Sequence, residues 1–405
     1  MSAITSNVRS VSLRQAAAVI EQVAKHTILG SEESKLTQSH HNVFISGPPG
    51  VAKSSIVASI CAKLGIDLID LRLCTMEASE VSGIPYTDVE GEEKLMRFST
   101  PEWWPDGSQP TIILLDELPN ATPSTQTAAL RLLQERTIQN GNTLPDNVMF
   151  VALGNRREDR TGARPLLATV SNRFSTQLEI DPKNPDVRND WVDWAWENGV
   201  DSSILAFLDF KKDYVYQPAP SGEGPFPSFR SWTASSDHMK IFGEGTFEVG
   251  ENRTAKLSSL LHSTIAGAVG SAAAGEYMAF REHWSSLPDW AAVKRGDFSY
   301  QLERGNPAVQ YALAASSAGH IYDLLIQDYK TNPRKYEEIE NICHYLSQCQ
   351  LDMLVVFYRT IRRIDEKAYL KILSSDMISR PDTGEPSTLL ELVEALTTRV
   401  TNYNR

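Results

Sequence analysis

Between Phe44 and Gly65 the chain reads FISGPPGVAKSSIVASICAKLG, and the residues within it that could do chemistry are GPPGVAKSS, Gly47 to Ser55. Gly47 and Gly50 allow a backbone to curl so that its N–H groups face an anion, and a helix opening at Ser54 adds its positive end. Pro48, Pro49, Val51 and Ser55 complete the loop. Lys53 has the reach to meet the β- and γ-phosphates of a nucleotide, and Ser54 carries a hydroxyl suited to Mg2+. Such loops follow the pattern G-x-x-x-x-G-K-[ST], but here Ala52 stands in the place of the second glycine. Only a positive φ demands glycine, so if φ at Ala52 is negative, a methyl group costs little there and the substitution does not condemn the site. Without nucleotide the Lys53 charge is expected to be solvated.

A second group of residues fits the same chemistry. TIILLDELPNA is an apolar run that ends in Asp116 and Glu117. A carboxylate at Asp116 would hold Mg2+ directly or through water. Glu117 would orient and deprotonate an attacking water, a general-base role that needs one hydrogen bond to it. Standing alone, the pair reads equally well as solvated acids at a strand end. FVALGNRREDR offers Asn155 at another strand end, where an amide can hold that water or a phosphate oxygen, or can simply shape a turn. Arg173 in SNRFSTQLEI and Arg230 in FPSFRSWTAS have the fork that spreads positive charge over phosphoryl oxygens; an isolated arginine is as readily a surface residue.

These residues need elements to hold them. Apolar positions at helical spacing mark a helix over 11–29. VFIS, DLIDLRLC, TIILLD, NVMFVALGN and STQLEI read as strands, with helices at SSIVASICAKLG and TPSTQTAALRLLQERTI, where Thr122 or Ser124 would be the cap. Strands alternating with helices predict an α/β fold on a parallel five-stranded sheet. Beyond about Asp181 the pattern becomes mainly helical, starting with DVRNDWVDWAWENG and SSILAFLDFKKDY, interrupted by the connector QPAPSGEGPFPSF and by breaks such as FGEGTFEVGE.

Composition sets the remaining bounds. The 405 residues suffice for two or three domains. A net charge of −12 argues against a broad basic surface for nucleic acid or anionic lipid. Cys61, Cys74, Cys343 and Cys349 have no paired metal spacing, and CHYLSQC reads as two small residues in an amphipathic helix. A reducing cytoplasm is the expected setting. MSAITSNVRSVSLRQAAAVIEQV lacks the apolar core of a signal peptide, and no apolar run approaches the roughly 20 residues of a membrane span, so no membrane insertion is expected.

Taken in order, GPPGVAKSS, LDELPNATPSTQTAALRLLQERTI, ALGNRREDRTGARPL, SNRF and PSFRSW resemble the MoxR branch of the AAA+ ATPases over roughly residues 10–285. In that branch alanine often precedes the loop lysine. The resemblance implies that Lys53 and Ser54 are the Walker A pair and Asp116 and Glu117 the Walker B pair, serving ATP and Mg2+. It implies sensor 1 at Asn155, an arginine finger at Arg173 and sensor 2 at Arg230. Arg160 and Arg164 precede SNRF too, so the finger is not uniquely assigned. Arg156 departs from the family, where proline often follows the sensor asparagine. MEASEVSGIPYTD resembles the family's insert after the second strand, and IQNGNTLPDNVMF the hairpin before sensor 1. The implied organisation is an αβα nucleotide-binding core over 1–182, a helical lid over 183–285 and a mainly helical C-terminal region over 286–405. The implied activity is ATP hydrolysis in a homo-oligomeric ring, expected to be a hexamer, that remodels or matures a protein partner, with a von Willebrand A-domain protein as one such partner. Two alternatives stay open: a motor on nucleic acid, disfavoured by the acidic balance, and a scaffold that binds ATP without turnover, disfavoured by Lys53, Asp116 and Glu117.

Overall fold

A computed structural model of the chain describes residues 10–30, 41–90, 93–156, 159, 166–220, 224–243, 245–250, 253–284, 287–299, 306–326, 333–346, 357, 378–379 and 386–387. It divides into two compact units, one formed by Met1–Trp191, Pro218–Glu223 and Ser228–Arg230, the other by Val192–Gln217, Gly224–Pro227 and Ser231–Arg405.

The first unit opens with helix α1 (Leu13–Thr27), started by a capping box in which Ser12 and Gln15 satisfy each other's backbone N–H. Strand β1 (Val43–Ser46) leads through the glycine loop into α2 (Lys53–Leu64), which buries Ile56, Val57, Ile60 and Cys61 on one face and stops at Gly65. Then come β2 (Asp67–Arg72), a short α3 (Ala78–Ser82) and a hairpin of β3 (Pro85–Glu90) and β4 (Glu93–Phe98). Strand β5 (Thr111–Asp116), α4 (Pro123–Glu135), β6 (Val148–Gly154), α5 (Ala168–Ser171) and β7 (Thr176–Glu179) complete the core, and α6 (Pro185–Glu197) leaves it. Thr122 caps α4, accepting the Thr125 N–H.

The sheet has five strands in the order β2-β5-β6-β1-β7, all parallel. The expected α/β fold on a five-stranded parallel sheet is therefore the observed one. Parallel strands covered on both faces must be apolar nearly throughout. That is why β6 is buried at every position and β5 at all but its last residue, Asp116. Ile113, Leu115, Phe150 and Ala152 join Leu118, Leu132 and Phe174 in one core cluster, and burying a side chain as large as Phe150 stabilises the fold by roughly 1.5–3 kcal/mol. Because β1, β5 and β6 lie side by side and point the same way, the segments that leave their C-terminal ends come together. The sheet topology thus positions the site.

In the second unit, α7 (Ser202–Phe210), α8 (Phe229–Phe242, whose first two residues belong to the first unit), α9 (Leu261–Val269), α10 (Ser271–Trp284), α11 (Trp290–Lys294), α12 (Pro307–Ile326) and α13 (Pro333–Leu346) bear out the helical texture. Phe207 sits at its centre, with ring centroids 5.6 Å from both Trp232 and Tyr277. The Trp232 Nε1–H donates to the Tyr214 carbonyl at 2.7 Å. Tyr277 hydroxyl and Ser203 Oγ lie 2.7 Å apart, and burial raises the Tyr277 pKa well above its ordinary value.

Two hairpins differ from expectation. Residues 85–98 form β3 and β4, and β8 (Thr246–Gly250) pairs with β9 (Arg253–Lys256) across what reads in the sequence as a break. The first stands clear of the core, with Tyr86 49% and Met96 71% exposed, so neither face imposes the apolar alternation by which a strand is read. Strand β2 stops at Arg72, and Leu73–Thr75 is a 3-10 turn rather than more strand.

Candidate nucleotide-binding site

The loop after β1 is shaped by close backbone approaches. Gly47 N–H donates to the Gly154 carbonyl at 3.2 Å, tying the loop to β6. A Cβ on Gly47 would lie 2.6 Å from the Ile180 carbonyl oxygen, so only glycine fits. Gly50 has φ +78, and a Cβ there would meet Ser228 Oγ at 2.7 Å. The Gly50 carbonyl accepts the Arg230 N–H at 3.2 Å. Pro48 and Val51 are buried, Pro49, Lys53 and Ser54 half-buried, and Ser55 exposed. The loop thus presents a cradle too tight for side chains at Gly47 and Gly50, opening directly into α2.

Ala52 corrects the expectation. It is the N-cap of α2 with φ 68 and ψ 21, the left-handed region, not a negative φ. An L-residue held there carries roughly 1–2 kcal/mol of strain. Its methyl side chain also gives α2 no capping hydrogen bond. Amides in the first turn are therefore left without a side-chain acceptor, and such amides with the positive helix end suit a phosphate.

Lys53 is the second correction. Its charge is not solvated: Nζ donates to the carbonyls of Gly47 at 2.7 Å and Pro48 at 2.8 Å and to Asn155 Oδ1 at 3.0 Å. Burial pushes its pKa down to about 8, against the pull of Asp159, Asp116 and Glu117, while the Arg230 charge adds to the depression. The ammonium is held by loop carbonyls that an incoming phosphate could replace as partners.

Glu117 lies just past the end of β5 with φ 57 and ψ 30, a left-handed conformation that strains a non-glycine residue and turns the chain sharply after Asp116. Its N–H donates to Asp116 Oδ1 at 2.9 Å, and the Asn120 side-chain amide donates to Glu117 Oε2. Both acids are half-buried. The structure therefore gathers Lys53, Asn155, Asp116, Glu117 and Arg230 around the ends of β1, β5 and β6. Arg230 itself is exposed at the start of α8.

Arg173 is not part of that gathering. It sits in the turn after α5 with its side chain exposed, its carbonyl accepting from Asn42 Nδ2 at 3.3 Å. Arg160 and Arg164, the other finger candidates, lie outside the described residues, as does Cys349. Among the described residues no group of histidines, cysteines and acids could hold a metal ion by itself. Oxygen ligands from Ser54 and Asp116 fit Mg2+ only if phosphate oxygens and water complete its octahedron, which is how that ion is usually bound.

Asp159, Glu179, Asn120 and Ser228 escaped the sequence reading. Each acts through a contact between distant segments or inside a turn without a motif, and no spacing in the chain marks such contacts.

Comparison with known proteins bears on residues 42–174, which match the family described as AAA domain (dynein-related subfamily). No curated protein matches the chain. Among solved structures, NtrX from Brucella abortus in complex with ADP is 14% identical, with a TM-score of 0.35, over 77% of this chain and 63% of that one. A RuvB mutant from Thermotoga maritima is 12% identical, with a TM-score of 0.38, over 76% of this chain and 85% of that one. Likenesses at such TM-scores carry no argument. Residues 42–174, which match the AAA-domain family, include Lys53, Asp116, Glu117 and Asn155, and the five-stranded parallel sheet that carries them is an α/β fold of the AAA+ kind.

Proposed function

We propose that the protein is an ATP-hydrolysing AAA+ machine of the MoxR branch, working as a homo-oligomeric ring, with a hexamer as the expected form. The observation that carries this reading is the 3.0 Å hydrogen bond between Lys53 Nζ and Asn155 Oδ1. It joins a phosphate-type loop after β1 to a polar residue after β6, in the field of the two acids at the C-terminal end of β5, Asp116 and Glu117. In this reading the loop amides, with Lys53, bind the triphosphate of ATP. Ser54 and Asp116 hold Mg2+, which supplies charge neutralisation for the phosphates. Glu117 takes the proton of the attacking water, Asn155 orients that water, and Asn120 holds the Glu117 carboxylate.

The exposure of Arg173 supports a role between subunits. A finger that completes the neighbour's site must stand on the surface of its own subunit. Arg230, beside Gly50, is the candidate for a second cation on the nucleotide. The three-part division into 1–182, 183–285 and 286–405 belongs to the same proposal, as does action on a protein partner in the cytoplasm, with a von Willebrand A-domain protein among the candidates. No described helix is long and apolar enough to cross a membrane.

Subunit mixing tests the arrangement. Arg173→Ala should still bind ATP but turn it over roughly 10³-fold or more slowly, as loss of an arginine finger does. Glu117→Gln should also be nearly inactive. In mixed rings, sites that pair an intact Glu117 with a neighbour's intact Arg173 should recover hydrolysis, in a manner that depends on protein concentration. Full activity of Arg173→Ala alone would remove the finger from Arg173.

A further inference from the structure

Arg156 follows Asn155 and reaches across the sheet. Its Nη1 lies 2.8 Å from Glu179 Oε1 and its Nη2 2.9 Å from Asp159 Oδ1. Its Nε lies 3.2 Å from both Asp159 oxygens, and Asp181 is 3.7 Å away. The Arg156 N–H also donates to Asp159 Oδ2 at 2.8 Å. The three principal partners are largely withdrawn from water, with side chains 15%, 6% and 9% exposed for Arg156, Asp159 and Glu179. Salt screens such a group weakly, and an acid left unpaired there keeps much of its field.

The place of this group in the sheet matters. Strand β1 lies between β6 and β7. An arginine just after β6 that grips Glu179 in β7 therefore spans the end of β1, where the glycine loop begins. Ile180, next to Glu179, presses its carbonyl against Gly47 and donates its N–H to Ser46 at 2.8 Å. Asp159 is the foremost carboxylate acting on Lys53. With Asp116 and Glu117 nearby, removing the Arg156 charge would leave the loop, with Lys53 and Arg230, in a more negative field while it faces a ligand that is itself strongly anionic.

We infer that Arg156 is a positioning residue of the phosphate site, neutralising Asp159 and Glu179 beside the loop so that a nucleoside triphosphate can enter. This rests on the nucleotide reading above. A unit charge acting over about 10 Å near a protein surface changes a binding constant by on the order of tenfold.

The test is Mg·ATP binding to the full chain by calorimetry, at low and high salt. Arg156→Lys keeps the charge and loses the fork; Arg156→Gln keeps hydrogen bonding and loses the charge. Arg156→Lys should bind within about threefold of the native chain and Arg156→Gln about tenfold more weakly, a gap that largely persists at high salt because the charges are withdrawn from water. Adding Asp159→Asn and Glu179→Gln to Arg156→Gln should restore most of the affinity. A purely mechanical clamp would weaken both single variants alike and resist that rescue; either result overturns the inference, and so does native affinity in Arg156→Gln. If the native chain binds no ATP, the nucleotide reading falls and takes this inference with it, an outcome distinct from native binding with the Arg156 variants indifferent.

Discussion

Replacing Ala52 by glycine should stabilise the nucleotide-free protein, although the same change in a helix or strand normally destabilises. The reason is the left-handed backbone, φ 68 and ψ 21, at the N-cap of α2. An L-residue there carries roughly 1–2 kcal/mol that glycine does not. Against this, glycine gives the unfolded chain extra freedom worth about 0.4–1 kcal/mol. Glycine is also the better N-cap, which adds a few tenths in the same favourable direction. The balance is a gain of about 0.5–1 kcal/mol. At a negative φ there would be no strain to relieve, and the same substitution would destabilise by about 0.5–1 kcal/mol. The sign of the change therefore reads the sign of φ. Urea unfolding followed by circular dichroism, with unchanged slope, gives that sign from the midpoint. Ala52→Val supplies the opposite control, because a β-branched residue fits the left-handed region worst, and it should lose more than about 1 kcal/mol. A lower midpoint for Ala52→Gly together with a tolerated valine would refute the left-handed assignment.

Gly50→Ala should cost about 1–3 kcal/mol of stability, since it combines φ +78 with a Cβ only 2.7 Å from Ser228 Oγ, and Gly50→Val should abolish ATP binding in a filter or fluorescence assay. Near-normal binding by Gly50→Val would mean that the loop holds its anion in another way. Lys53 is proposed as a ligand-binding lysine and should weaken the free protein. Its folded pKa of about 8 lies below the ordinary 10.5, so the unfolded chain holds more protons between those values and stability should rise with pH across that window. Lys53→Met should remove that slope, gain on the order of 3 kcal/mol at neutral pH before the loss of its hydrogen bonds is counted, and bind no ATP. Parallel stability–pH curves for the two proteins would show that Lys53 is not desolvated.

The sheet was legible because its signal is intense. TIILLD and NVMFVALGN are apolar for lengths that suit only strands buried on both faces, and the observed β5 and β6 are buried in that way. The cap of α4 was legible only as a choice between Thr122 and Ser124, and the structure selects Thr122, the hydroxyl before the proline that opens the helix. Ala52 was misread because composition says nothing of φ: the loop's path is set by Gly47 against Ile180 and by Gly50 against Ser228, contacts with segments far along the chain. Lys53 was misread because the curl of the loop that turns the Gly47 and Pro48 carbonyls onto its ammonium has no mark in composition, and because Asn155 becomes its neighbour only once β1 and β6 lie side by side. The Arg156 cluster shows this limit most clearly. The residue stands out in the sequence as an unusual neighbour for Asn155, yet its carboxylate partner Glu179 is brought to it only by the strand order.

The central claim is that this site hydrolyses ATP with Glu117 as the base. The most direct measurement follows phosphate release from Mg·ATP by the native chain and by Glu117→Gln, alongside ATP affinity for each. The account predicts release by the native chain, comparable ATP binding by the variant, and hydrolysis by the variant slower by a factor on the order of 10²–10⁴. Equal rates in the two proteins, or ATP bound by the native chain with no phosphate released from the assembled form, would contradict it.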